Sequence, residues 1–171
     1  KVIYFDNNAT TMVAPEVFEA RKPFLTNLSG NPSSIHRFGG QVAAHVEAAR
    51  ESLASLLGAA PTELIFTSCG TESDSAAIFS ALLNCPKRNE VVTTKVEHPA
   101  VLSLGKELER RGYRVSLIPV DGKGRLDLER AAEMIDDETA IVSVMWANNE
   151  TGNLYPVAEL AELAHRNGAL F

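Results

Sequence analysis

Glu90-Val91-Val92-Thr93-Thr94-Lys95-Val96-Glu97-His98-Pro99 is the stretch whose reading decides the fold. The run from Glu90 to Thr94 is rich in β-branched side chains and suits a pleated strand. Pro99 suits the first turn of a helix, where its missing N–H costs nothing. The helix expected from Pro99 to Arg111 leads into a second β-rich run, Arg114–Pro119. A strand, a helix and a returning strand form the unit from which parallel sheets are built.

The same alternation continues outward in both directions. Glu63–Thr67 and Thr139–Trp146 are further strand candidates, and Thr71–Leu83, Leu126–Ile135 and Val157–Asn167 read as helices, the last stopped by Gly168. Ala169-Leu170-Phe171 reads as another strand beginning. Residues 61–171 are therefore expected to be an α/β core with a mostly parallel sheet flanked by helices.

Residues 1–60 follow a different, helical plan. A short apolar run, Val2–Phe5, precedes a polar turn at Asp6-Asn7-Asn8, a helix from Pro15 and a loop at Ser29-Gly30-Asn31-Pro32-Ser33-Ser34. In the long helix that follows, Phe38, Val42, Val46, Ala49, Leu53 and Leu56 recur at steps of three and four, a stripe expected to pack inward until Gly58 closes the helix. No repeat or flexible linker divides the chain, so one compact unit is expected.

Composition narrows the function. With 171 residues, 45% hydrophobic and 22% charged, the chain has the make-up of a globular protein with a substantial core. Its formal net charge of −6 comes from scattered acids, which argues against a nucleic-acid partner. The longest mostly apolar stretch, Ala140 to Ala147, is too short to span a bilayer, and no secretory leader pattern opens the chain, so a cytoplasmic location is expected. Cys69 and Cys85 have no CxxC spacing and no clustered histidines, which removes the zinc reading and leaves no metal site.

In an open α/β sheet, ligands bind beyond the carboxyl ends of the strands, where loops and helix N-termini converge. Ser68-Cys69-Gly70-Thr71-Glu72 follows the first strand candidate. Gly70 lets backbone amides approach an anion, Thr71 adds a hydroxyl, and the helix N-terminus favours negative charge. The competing role is plain capping, because Thr71 and Asp74 fit the S/T-x-x-D box. His98 follows the second strand at a helix start, where its ring could stack on a planar cofactor, shuttle a proton or simply cap. Ala147-Asn148-Asn149-Glu150-Thr151-Gly152 follows the fourth strand candidate. It offers amides that can orient a ring hydroxyl, and it is equally good turn chemistry for at least one asparagine. Trp146 reads as packing, His45 and His165 as helix-surface residues, and His36 as either a helix-start residue or a border of the site.

Taken in order with Asp6-Asn7-Asn8-Ala9-Thr10-Thr11 and Gly30-Asn31-Pro32-Ser33-Ser34-Ile35-His36, these segments make the chain resemble the cysteine desulfurases, which are class V aminotransferases of the fold-type I pyridoxal-phosphate (PLP) enzymes. Ser68-Cys69-Gly70-Thr71-Glu72 and Met145-Trp146-Ala147-Asn148-Asn149-Glu150-Thr151-Gly152 look like the nitrogen-fixation branch. The resemblance implies that Gly70 and Thr71 bind the PLP phosphate, that His98 stacks on the ring and transfers protons, that Asn149 bonds the phenolic oxygen and that Asn8 lies near the substrate. It implies release of sulfur from L-cysteine as an enzyme persulfide, with L-alanine as product and an iron–sulfur scaffold protein as acceptor, in a homodimer. It also implies that the chain covers less than half of such an enzyme, the Schiff-base lysine and the persulfide cysteine lying downstream, so that these 171 residues are inactive alone. None of Lys1, Lys22, Lys87, Lys95, Lys106 and Lys123 has the setting of that lysine, and Cys69 reads as a close-packed turn residue. Selenocysteine lyase, kynureninase, a serine-type aminotransferase and a non-catalytic α/β scaffold remain alternatives.

Overall fold

A computed structural model describes residues 2–171, which divide into two compact units, one ending at Phe66 and one running from Thr67 to Phe171, where the sequence leads one to expect a single unit. In the first unit, α1 (Pro15–Thr26) starts on Pro15, and α2 (Arg37–Leu57) starts where His36 Nδ1 accepts the Gly39 amide at 3.2 Å. His36 is thus a helix-start residue. Gly58, at φ 68, closes α2 in the left-handed conformation that a Cβ would strain.

Within that unit the apolar stripe of α2 does not pack inward as expected. Val42 is buried, whereas Phe38, Leu53 and Leu56 are exposed. The expected strand Glu63–Thr67 is likewise absent. Pro61–Glu63 is a short 3-10 turn and the residues after it are irregular. A strand exists only where a neighbour completes its hydrogen bonds, and no described strand pairs with this segment.

The second unit follows the α/β reading closely. Its elements are α3 (Gly70–Asn84), β1 (Glu90–Thr94), α4 (Pro99–Arg110), β2 (Arg114–Ile118), α5 (Leu128–Met134), β3 (Thr139–Val142) and α6 (Val157–Arg166). The strands pair in parallel in the order β2-β1-β3, with Val92 opposite both Ser116 and Val142. The last strand is shorter than the expected Thr139–Trp146: its residue pairing with β1 ends at Val142, and beyond it the Ser143 amide still donates to the Val92 carbonyl. Beyond β3, where a further strand is expected at the chain's last residues, Leu170 makes a single isolated parallel bridge with Ile141.

Period-two alternation sends neighbouring residues of the central strand to opposite faces. Val91 joins Ile78, Leu82, Leu104 and Leu108 beneath α3 and α4, while Val92 joins Ile118, Val142, Leu160 and Ala164 beneath α5 and α6. Both faces are covered, and all five residues of β1 are buried. At the amino end of the sheet, buried Glu90 pairs with Arg114 at 2.8 Å. This pair lies at the opposite end from the loops that concern function.

Candidate functional site

The turn before α3 is built by an acid rather than by the expected Thr71–Asp74 capping box. Cys69 is the N-cap and its side chain makes no capping bond, while Thr71 lies inside the first helical turn. Glu72 instead reaches back to Ser68, accepting its amide at 2.7 Å and its hydroxyl at 2.6 Å. Thr67 and Ser73 add a 2.6 Å hydroxyl pair across the same turn. The Ser68 hydroxyl, then the Ser68 amide, hold the Glu72 carboxyl below its ordinary pKa.

Gly70 and Thr71 stand exposed on this turn. A Cβ built on Gly70 would meet nothing within 4 Å, so the chain's own packing does not require glycine there. The initial amides of a helix have no intrahelical acceptors, and the turn therefore presents donors at an open surface. Cys69 is exposed rather than close-packed, which corrects the sequence reading. The Glu72 amide, then the Ser68 hydroxyl, hold its thiol below the ordinary cysteine pKa.

His98 is the N-cap of α4, and its Nδ1 accepts the Ala100 amide at 3.1 Å. Capping and a chemical role are therefore compatible. The cap occupies Nδ1 as an acceptor, which selects the tautomer with its proton on Nε2, and the side chain is exposed.

Beyond β3 the two asparagines part company. Asn148 is buried and Asn149 only partly so. Asn148 Oδ1 accepts the Glu150 amide at 3.0 Å, the Thr151 amide at 2.9 Å and the Thr151 hydroxyl at 3.1 Å. Its Nδ2 donates to the Val96 carbonyl at 2.9 Å. Asn148 is thus the turn-former, while Asn149 Nδ2 donates to Glu150 Oε1 at 2.8 Å. Trp146, expected to pack, is 72% exposed.

The loops bearing His98 and Asn149 are joined directly by the bond from Asn148 to Val96 and by Glu97, whose Oε1 accepts the Met145 amide at 2.8 Å. Burial pushes the Glu97 carboxyl above its ordinary pKa against the pull of the Met145 amide and the Thr94 hydroxyl. The charge of Asp74 raises it further. Burial, then the charge of Glu97, pushes the Tyr155 hydroxyl up as well. Sequence reasoning assigned no role to Glu97 or Asn148. A loop acid and a turn amide carry no periodic signal, and only their burial distinguishes them. Asn8 belongs to the other unit, in the turn where the Ala9 amide donates to the Asp6 carbonyl at 3.2 Å.

Comparison with known proteins agrees with this architecture. The chain is 56% identical over 170 residues to the cysteine desulfurase NifS of Azotobacter vinelandii, a match covering 99% of this chain and 42% of that protein. A solved structure described as a NifS-like protein superposes with a TM-score of 0.91 at 39% identity, over 97% of this chain and 46% of that one. A second, described as SspA in complex with cysteine, gives a TM-score of 0.88 at 30% identity, over 97% of this chain and 48% of that one. The chain thus spans less than half the length of these relatives. The aminotransferase class-V family model matches residues 3–171, and with that match and the parallel α/β core beneath it, the chain belongs to the class-V aminotransferase family.

Proposed function

We propose that the full-length protein is a PLP-dependent cysteine desulfurase of the nitrogen-fixation type. In this reading it releases sulfur from L-cysteine as a persulfide on an enzyme cysteine, leaves L-alanine, and passes the sulfur to an iron–sulfur scaffold protein. Identity to NifS over nearly the whole chain supports the activity, and the likeness to SspA, whose solved structure is a complex with cysteine, supports the substrate. A homodimer is part of the same proposal.

The residues present suit PLP. Gly70 opens onto free space and, with Thr71, offers donors at a helix N-terminus, the chemistry that a phosphate dianion requires. The ring of His98 has its Nδ1 tied to the Ala100 amide, so its orientation is set by the start of α4 and a proton can be held or moved at Nε2. Asn149 would orient the phenolic oxygen of the ring. PLP, when bound, supplies the electron sink; these residues supply binding, orientation and proton transfer.

The observation that carries the reading is the fixed, exposed His98 on a loop cross-linked to that of Asn149. The deciding experiment is to incubate the full-length protein with PLP, L-cysteine and an excess of a dithiol reductant, which reduces the enzyme persulfide to sulfide and restores the thiol, and to measure alanine and sulfide. Equimolar release is expected. Alanine and sulfide at background, with turnover of selenocysteine, kynurenine or an amino donor instead, would transfer the protein to another class-V activity.

A further inference from the structure

Glu97 is a buried acid, 7% exposed, to which the chemistry above gives no part. It directly precedes His98, and its Oε1 accepts both the Met145 amide, at 2.8 Å, and the Thr94 hydroxyl, at 3.1 Å. The Thr94 hydroxyl in turn accepts the Val96 amide at 3.3 Å. The main-chain ladder between β1 and the β3 segment runs as far as the Ser143 amide, which donates to the Val92 carbonyl at 2.9 Å. In a parallel ladder the amide two residues further on would be the next donor to the facing strand. That amide is Met145, and it meets the Glu97 carboxylate instead. A side chain therefore continues the sheet's bonding past its end, where the two strands part to form loops.

We propose that Glu97 is a positioning residue: its carboxylate sets the spacing between the loop bearing His98 and the loop bearing Asn149, so that both reach one planar ligand together. The proposal rests on the PLP reading given above. A single oxygen shared by donors from adjacent strand ends defines their separation more tightly than either loop could alone, because a displacement of one loop breaks a bond to the other. Asn148, bonded to Val96, holds the same two segments a few residues further out.

The test uses the full-length protein and its Glu97→Ala and Glu97→Gln variants. Hydrogen exchange of peptides covering residues 143–151 is followed without cofactor, and PLP affinity is followed by fluorescence titration. Glu97→Ala is expected to speed exchange at Met145 about tenfold and to weaken PLP binding about tenfold. Glu97→Gln retains an oxygen able to accept both donors and is expected to stay within about threefold of the parent in both readouts. Unchanged exchange in Glu97→Ala, or faster exchange with unaltered PLP affinity, overturns the proposal. So does a Gln variant that behaves like Ala, since charge rather than geometry would then be responsible. If Glu97→Ala does not fold, Thr94→Val removes one of the two donors isosterically, and no change in either readout counts against the proposal. A parent protein that binds no PLP defeats the functional reading itself, an outcome distinct from a parent and Glu97→Ala that bind equally well.

Discussion

Glu72 grips Ser68 twice, accepting its amide at 2.7 Å and its hydroxyl at 2.6 Å, and thereby closes the turn that presents Gly70 and Thr71. These bonds hold the Glu72 carboxyl below its ordinary value of 4.5, so the folded chain gives up this proton more readily than the unfolded chain. The resulting stabilisation is complete above pH 4.5 and is lost as the pH falls below it through the folded-state value. Urea denaturation across the acid range is expected to show a flatter pH dependence for Glu72→Gln than for the parent. An identical acid limb in the two proteins would mean that the turn does not depend on the charge.

Gly70 separates folding from binding. Its Cβ position is open, so Gly70→Ala is expected to change stability by no more than about 0.5 kcal/mol. The added methyl group would occupy the surface on which the phosphate is proposed to rest, and PLP affinity of the full-length protein is expected to fall about tenfold. Melting curves and fluorescence titration on the same samples test both halves. Loss of stability without loss of affinity would make Gly70 a structural glycine.

For His98, replacement by Asn and by Ala distinguishes the cap from the chemistry. His98→Ala removes the acceptor of the Ala100 amide and should cost about 1 kcal/mol, whereas Asn, a good N-cap, should restore most of that. In the full-length protein both variants are expected to retain some PLP and to lose alanine production by about a hundredfold. Near-normal turnover in the Asn variant would reduce His98 to a helix cap.

Asn148 is expected to matter for stability more than its neighbour does. Asn148→Ala strips the acceptor from two amides and a hydroxyl and leaves the Val96 carbonyl without this donor, a loss of about 2–3 kcal/mol. Chemical denaturation of the full-length protein measures it. A loss below about 0.5 kcal/mol would show that water replaces these bonds without penalty.

The 171-residue chain is expected to retain no PLP covalently. Absorbance after gel filtration in the presence of PLP is the check. A persistent visible band on the chain alone would show that one of its own six lysines serves as the attachment point.

Much of the second unit is legible in the sequence because its elements are short and sharply marked. Glu90–Thr94 has the bounds its sequence suggests, since the β-branched run ends at a polar loop and Pro99 fixes the helix start beyond it. The long helix ending at Gly58 is legible for a similar reason, its periodicity and its left-handed stop both being local properties. The errors fall where a segment depends on something distant. Glu63–Thr67 has strand composition but no described partner, and the stripe of α2 has helical periodicity but a largely exposed surface.

The sequence by itself determined the alternation of strand and helix, the segments that follow the strands and the residue types that suit a phosphate and a planar ring, because these are written in neighbouring residues. Only the tertiary structure decided which asparagine forms the turn, that His98 caps through Nδ1 while exposing the rest of its ring, and that a buried Glu97 joins the two loops. Those outcomes depend on which groups from different strands meet at hydrogen-bond distance once the sheet has formed, and bonding across 48 residues of chain, as between Glu97 and Met145, leaves no local trace.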